Sequence, residues 1–243
     1  MKLSKRLQTI ESLVGNEYAH IWDCCCDHGF LGTHLLAANK APTIHFIDIV
    51  PQLMDALESK LERYFPKSEM TNATWEVHCG DVADITFDQH EGKHLIIIAG
   101  VGGDLTQHFI ESIHAQYPTL ALDFLICPVH QQFELRQQLQ QLNFQMKDEC
   151  LIEENRRFYE IMLLSNQPHR RQRQQQQQQQ QPSQTVHPVG EKIWQVDTEL
   201  QLKTALDYRS KTLQHYQRLQ LGKQSQVEHI IEAYQAIQLP EAI

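Results

Sequence analysis

Two acidic residues, each closing an apolar segment near the start of the chain, are spaced as in proteins that bind a nucleotide cofactor. The first segment lies in HIWDCCCDHGF, which starts at His20 and contains Asp23, and the second ends at Asp48. A strand, a tight turn, a helix and a second strand ending in a carboxylate open many nucleotide-binding folds. There the carboxylate accepts hydrogen bonds from both ribose hydroxyls. The alternative for Asp48 is a solvated aspartate at a strand end.

Other residues at predicted strand ends could complete such a site. Asp81 follows the third predicted strand, where a carboxylate can accept a hydrogen bond from the adenine amine or, alternatively, cap a turn. The run AGVGG, from Ala99 to Gly103, follows the fourth strand, where glycines let a nucleophile come close to the cofactor. The loop after the first strand contains only Gly29 and is therefore a weak glycine-rich motif.

The periodicity of apolar residues predicts the elements that position these groups. Strands are expected at residues 20–25, 43–49, 73–80, 94–100 and 123–127, with helices before, between and after them and a closing hairpin at 145–153 and 157–164. Alternating strands and helices imply parallel crossovers. The predicted fold is α/β, a Rossmann-like seven-stranded class I methyltransferase domain with a C-terminal α-helical hairpin, or coiled-coil, appendage.

Composition divides the chain into three parts. Residues 1–165 form the predicted catalytic domain and carry 12 Lys and Arg against 23 Asp and Glu, a net charge of -11. The glutamine-rich segment 166–188 has almost no apolar residue and is predicted to be a disordered linker. Residues 189–243 form the helical hairpin, and residues 166–243 together have a net charge of +2, from 9 basic and 7 acidic residues. Contacts with nucleic acid should therefore rely on the C-terminal part or on a local patch.

The six cysteines are expected to pack as small apolar residues. Cys24, Cys25 and Cys26 are consecutive in a strand-like run, and Cys79, Cys127 and Cys150 lie in or beside other predicted strands. No CxxC or HxxxH spacing includes His28, so no metal site is predicted. The N-terminus lacks the apolar core of a signal peptide, and no run approaches the roughly 18 apolar residues of a membrane span. A cytoplasmic protein without membrane contact is expected.

Four motifs resemble the TrmK family of bacterial tRNA adenine-N1 methyltransferases. DCCCDHGFLG is similar to that family's DIGSDHAYLP, AGVGGDL to AGMGGxL, FLICPV to LILQPN, and FYEIMLL to its YEI-containing last strand. Arg136 falls where the family has an LR pair after the fifth strand. The resemblance covers about residues 1–165, and the C-terminal hairpin is similar to the family's coiled-coil appendage. The chain departs from the motifs at Cys25 for glycine, Cys26 for serine, Cys127 for glutamine and Val129 for asparagine.

The resemblance implies an S-adenosylmethionine-dependent methyltransferase that modifies N1 of an adenosine in tRNA, as a tRNA (adenine(22)-N1)-methyltransferase does. Carried over by position, the cofactor-binding residues are Asp23, Cys25, Gly29, Asp48, Ile49, Asp81, Val82, Ala99 and Gly100. The implied catalytic residues are Asp27, His28 and Gly102. Asp27 would stabilise positive charge, and His28 would orient Asp27, contact the acceptor, or have only a structural part.

Two other classes of function remain open at this point. A methyltransferase acting on a small molecule or another RNA would suit the acidic domain, and a cofactor-binding protein with an interaction role would suit the altered motifs. If tRNA is the partner, the basic residues of the hairpin should help to hold it: Lys203, Arg209, Lys211, Arg218 and Lys223.

Overall fold

A seven-stranded sheet forms the centre of the computed structural model, which describes residues 3–166, 185–222 and 226–240. Its strand order is β3-β2-β1-β4-β5-β7-β6. The first five strands are parallel, and β7 lies antiparallel between β5 and β6. The predicted fold class is confirmed, including the closing hairpin. The strands are β1 (His20–Cys24), β2 (Thr43–Asp48), β3 (Thr74–Cys79), β4 (His94–Ala99), β5 (Leu122–Cys127), β6 (Gln145–Glu154) and β7 (Arg157–Ser165).

Helices cover both faces of this sheet. Three of them, α1 (Lys5–Leu13), α2 (Phe30–Ala37) and α3 (Pro51–Tyr64), pack on one face. The other face is covered by α4 (Gly103–Gln116) and α5 (Gln132–Gln141). Because both faces are buried, β5 is apolar at five of six positions (LDFLIC) rather than alternating. The sheet thereby holds the carboxyl ends of β1, β2, β3 and β4 at one edge.

The C-terminal helices pack against each other and against the sheet domain. Helix α6 (Glu199–Leu221) begins with a capping box at Thr198, and α7 (Glu228–Gln235) runs antiparallel to it. The direction follows from Gln220, which bonds to Glu228, and from Arg209, whose Nη1 donates to the carbonyl of Ile237 at 2.7 Å. The predicted helical hairpin is therefore present.

An aromatic cluster joins this hairpin to the sheet domain. Tyr208 and Tyr216 of α6, Tyr234 of α7 and Trp194 pack with Phe133 of α5 in one buried core. Because the core includes residues from both parts of the chain, the hairpin is docked on the sheet domain through apolar side chains.

Both described ends of the predicted linker are packed. Asn166 accepts a hydrogen bond from the Leu122 N–H at 2.7 Å, Thr185 forms a bridge with Gln145, and Val186 is fully buried. The segment predicted to be disordered, 166–188, is therefore too long at both ends, because its termini bury polar and apolar groups against β5 and β6. Residues 167–184, which include the glutamine run, lie outside the described residues.

The cysteine prediction is confirmed in part. Cys24 and Cys127 are buried, and Cys25, Cys26 and Cys150 are half-buried. Cys79 is exposed, so its assignment to the core was wrong; it ends the edge strand β3, where no further strand covers it. Within the described ranges, no helix is long and apolar enough to cross a membrane.

Candidate cofactor and acceptor site

The loop after β1 is shaped by three residues with left-handed backbone. Cys25, Asp27 and Gly29 have φ values of 54°, 52° and 65°, so the loop adopts a tight course although only one of the three is glycine. The loop is also tied to β2, because the Cys26 N–H donates to the Ile47 carbonyl at 3.1 Å. The backbone geometry that several glycines would favour is thus reached with side chains at two of the three positions.

Asp48 holds this loop from the end of β2. Its Oδ2 accepts from the Asp27 N–H at 3.1 Å and its Oδ1 from the Val50 N–H at 3.2 Å. The residue is half-buried, and the side chain of Ile49 next to it is 66% exposed. A partly open carboxylate beside an exposed apolar side chain can accept hydrogen bonds from a ribose while the apolar side chain contacts a flat base.

Asp23 lies beneath the loop and is buried. Its Oδ2 accepts from the Gly32 N–H at 2.8 Å, in the first turn of α2. Burial raises the pKa of Asp23 to about 7, with the Gly32 N–H opposing the rise and the negative charge of Asp48 adding to it. Asp23 therefore links β1 to α2 from below and does not present an open carboxylate.

Asp27 and His28 lie at the mouth of the site. Their side chains are 66% and 59% exposed, and Asp27 Oδ1 is 3.6 Å from His28 Nε2. Cys25 beside them is half-buried, and burial together with the nearby charge of Asp48 raises the pKa of its thiol to about 12. The carboxylate and imidazole are thus accessible to a second substrate, whereas the thiol stays protonated.

Asp81 and Val82 follow β3 at the same edge of the sheet. The Asp81 carboxylate accepts from the Ala83 N–H at 2.9 Å and so caps a short 3-10 turn, Val82–Asp84, which is one of the two roles expected for it. Asp81 is exposed, while Val82 is buried against the core. The carboxylate remains open to solvent at a position two strands from β1.

The glycine run after β4 lies beside the loop that follows β5. Gly100 has φ of 93°, a conformation that side chains rarely adopt, and a Cβ on Gly102 would lie 2.2 Å from His130 Cε1. The Val129 N–H donates to the Val101 carbonyl at 2.9 Å. Ala99 ends β4, so these two loops form the wall opposite the β1 loop.

Arg6 on α1 also reaches this wall, although the sequence indicated only an amphipathic helix there. A Cβ on Gly100 would lie 3.8 Å from Arg6 Nη1, and the guanidinium lies over the Tyr159 ring, 5.1 Å from its centroid. Among the described residues, its Nε is buried without a hydrogen-bond partner. No local motif marks Arg6, because its position depends on how α1 packs against β6 and β7.

Taken together, these positions agree with the arrangement of a methyl-transferring domain. The chain belongs to the methyltransferase domain family, whose model matches residues 3–162. A curated relative is the tRNA (adenine(22)-N(1))-methyltransferase of Bacillus subtilis (strain 168), 28% identical over 166 residues. That alignment covers 67% of this chain and 65% of the relative's length. The family resemblance of the sequence motifs is confirmed.

Solved structures share the fold over nearly the whole chain. The M. capricolum TrmK in complex with S-adenosyl-homocysteine is 16% identical with a TM-score of 0.64, covering 97% of this chain and 94% of that one. The B. subtilis m1A22 tRNA methyltransferase TrmK is 20% identical with a TM-score of 0.63, covering 96% and 93%. The likeness therefore extends through the C-terminal helices as well as the sheet domain.

Proposed function

We propose that this protein is an S-adenosylmethionine-dependent methyltransferase that methylates N1 of an adenosine in tRNA. The observation that carries the proposal is the edge of the sheet where Asp48 and Ile49, at the end of β2, and the glycines Gly100 and Gly102, after β4, flank the loop after β1. Family membership and the name of the B. subtilis relative support the choice of reaction and substrate.

The residues at the ends of β1, β2 and β3 fit the cofactor. In the proposed complex Asp48 would accept hydrogen bonds from the ribose, Ile49 would contact the adenine, and Asp81 would accept from the adenine amine. The backbone of the tight loop from Cys25 to Gly29 would hold the methionine end of the cofactor. When bound, S-adenosylmethionine supplies an electrophilic methyl group on a sulfonium sulfur.

The wall formed by the loops after β4 and β5 suits the adenine that is to be methylated. This adenine must be oriented, but it need not lose a proton. Adenine N1 attacks through its own lone pair, so no general base is needed, and the enzyme contributes mainly by positioning the base and excluding water. The methylated base is a cation, and the exposed carboxylate of Asp27 can stabilise the developing charge. In this proposal Gly102 lets the base approach closely, and His28, whose Nε2 is 3.6 Å from Asp27 Oδ1, orients Asp27. The adenine must leave its stack to enter such a site.

A cavity of about 510 Å³ extends from this wall towards the C-terminal hairpin. Val129 and His130 line one end, and Arg156, Arg157 and Lys211 contribute positive charge along it. Lys211 lies over the Phe158 ring at 4.7 Å. Basic groups next to aromatic rings suit a phosphate backbone with unstacked bases, so we propose that this cavity guides the tRNA.

The other basic residues predicted to contact tRNA differ in their surroundings. Lys203 and Arg218 are exposed on α6, whereas the Arg209 guanidinium is engaged with the carbonyl at the end of α7. Lys223 lies outside the described residues. Lys203 and Arg218 are therefore the hairpin positions that we propose for phosphate contacts in addition to Lys211.

The test is methyl transfer by the full-length chain with S-adenosylmethionine labelled in its methyl group. We expect label in an unmodified tRNA transcript, recovered as 1-methyladenosine after digestion, and no label when adenosine 22 is replaced by guanosine. Label only in a metabolite extract would establish a small-molecule methyltransferase instead. Cofactor binding without transfer to any substrate would favour an interaction protein.

A further inference from the structure

A cluster of histidines lies on one face of the sheet and spans β1, β2 and β3. His20 of β1, His45 of β2 and His78 of β3 occupy positions whose side chains share this face, together with Glu76. His90, from the connection between β3 and β4, packs on His45 with ring centroids 4.8 Å apart. The cofactor and acceptor site uses none of these side chains.

Three atoms of this cluster are spaced as the ligands of a metal ion. His45 Nδ1 is 3.1 Å from His78 Nε2 and 3.4 Å from Glu76 Oε2, and His78 Nε2 is 3.6 Å from the same oxygen. Zinc holds nitrogen and oxygen ligands at about 2.0–2.2 Å, so two ligands of a tetrahedral site lie roughly 3.3 Å apart. The three separations match this value, and one imidazole is donated by each of two neighbouring strands.

The surrounding hydrogen bonds leave the required lone pair on His45. His45 Nε2 is 3.0 Å from His20 Nδ1, and His20 Nε2 is 3.2 Å from the Glu91 carbonyl oxygen, which can only accept. Neutral His20 therefore carries its proton on Nε2 and accepts at Nδ1, and neutral His45 donates from Nε2. The free lone pair of His45 is then on Nδ1, facing His78 and Glu76. A ligating histidine that donates its other ring nitrogen to a fixed partner is typical of metal sites.

Packing holds the buried ligand, and the other two are accessible. Trp22 stacks on His45 with ring centroids 3.7 Å apart and an angle of 8° between the planes. The His45 side chain is fully buried, whereas those of His78 and Glu76 are 36% and 42% exposed. An ion can therefore arrive from solvent, and a water molecule can complete its coordination.

We propose that His45, Glu76 and His78 form a binding site for a divalent transition-metal ion, best matched by Zn²⁺. Two imidazoles and one carboxylate suit zinc and disfavour Mg²⁺, which prefers six oxygen ligands. The ion joins the edge strand β3 to β2. The site shares no side chain with the cofactor and acceptor site, and its occupation does not depend on the proposed tRNA methylation.

Calorimetric titration of the chelator-treated full-length protein with Zn²⁺ tests the site. We expect one site that Mg²⁺ does not fill, and a loss of affinity of more than about tenfold in Glu76→Gln and in His78→Asn. Zn²⁺ should also raise the melting temperature of the unsubstituted protein more than that of either variant, because an ion that binds only the folded state stabilises it. Both replaced side chains are partly exposed, and a circular dichroism spectrum checks that each variant is folded.

Two variants serve as controls. His108→Asn replaces an exposed histidine of α4 outside the cluster and should leave zinc affinity unchanged. His90→Asn distinguishes this site from a second candidate metal site. In that second group, ring nitrogens of His20, His45 and His90 lie within 4.8 Å of one another. Zinc binding that survives both Glu76→Gln and His78→Asn, or that is lost with His90→Asn alone, would overturn the proposal.

Discussion

The guanidinium of Arg136 and the carboxylate of Glu160 form a fully buried ion pair, with Nε donating to Oε2 at 2.6 Å. The same guanidinium donates to Glu149 at 2.6 Å and to the carbonyl of His187 at 3.2 Å. Tyr208 of α6 donates its hydroxyl to the other oxygen of Glu160. One arginine thus connects α5, the β6–β7 hairpin and the C-terminal segment.

Replacing Arg136 should therefore destabilise the whole protein. Removing one partner of a buried ion pair leaves an uncompensated charge, and Arg136→Ala should lower the free energy of unfolding by about 3–5 kcal/mol. Chemical denaturation measures this loss. Arg63→Ala, at an exposed position of α3, is the matched control and should change stability by less than about 0.5 kcal/mol. Equal stability of the two variants would mean that the Arg136 network contributes nothing.

Asp48 should contribute to cofactor affinity. If its carboxylate accepts hydrogen bonds from the ribose, Asp48→Ala should weaken S-adenosylmethionine binding by about 1–3 kcal/mol, measured by calorimetry. Asp55→Ala removes an exposed carboxylate from α3 and should leave binding intact. Since Asp48 also holds the Asp27 and Val50 N–H groups, melting curves must show that the variant remains folded. Unchanged affinity would remove Asp48 from the site.

Asp23 should make the stability of the cofactor-free protein fall as pH rises through the acidic range. Its pKa is raised to about 7 in the folded protein, mainly by burial, against about 3.9 in an unfolded chain. Between those values the folded state retains a proton that the unfolded state has lost. Raising the pH from about 4 to about 7 therefore favours unfolding, and above about 7 the loss is complete.

Asp23→Asn cannot ionise and removes this contribution. The stability of this variant relative to the unsubstituted protein should rise with pH over the same range, by up to about 1.4 kcal/mol per pH unit. Urea unfolding at several pH values measures the difference. Asp55→Asn provides the comparison for an exposed carboxylate. A difference that stays constant with pH would show that Asp23 is ionised in the folded protein throughout.

Lys203 and Arg218 should contribute to tRNA binding through phosphate contacts. Each of Lys203→Ala and Arg218→Ala should weaken binding and reduce the slope of log K against log salt by about 0.7–0.9. Filter binding at several salt concentrations measures both quantities. Lys67→Ala, which removes an exposed charge just before β3, should change neither. Point substitutions are preferable to removing the hairpin, because truncation would expose Glu160 and the aromatic core around Tyr208.

The sequence predicted the features that depend on residues close together in the chain. Apolar runs followed by Asp48 or by the glycines at Gly100 and Gly102 identify strand ends and their loops, because parallel strands bring their carboxyl ends to one edge. The start of α3 at Pro51 also follows from local chemistry, since proline suits the first turn of a helix. The fold class and the edge of the sheet that we propose for the cofactor were therefore predictable.

The remaining features depend on packing between distant segments. Arg6 reaches Gly100 only because α1 lies across β6 and β7, and Arg136 meets Glu160 only once β7 has inserted between β5 and β6. The imidazoles of His45 and His78 come together through the register of two strands. No spacing of the CxxC or HxxxH type marks such a pair, so a search for local metal motifs overlooks it.

Gln145 lies opposite both Ser165, where β7 ends, and Thr185, where the described chain resumes. The chain therefore leaves the sheet at Ser165 and rejoins it at Thr185, both beside Gln145. The two ends of the intervening segment are thus held close together by the sheet. Such a position suits protein engineering. A reporter domain whose own termini lie close together could be inserted there without separating β6 from β7, since insertions succeed best where the ends to be joined are already adjacent.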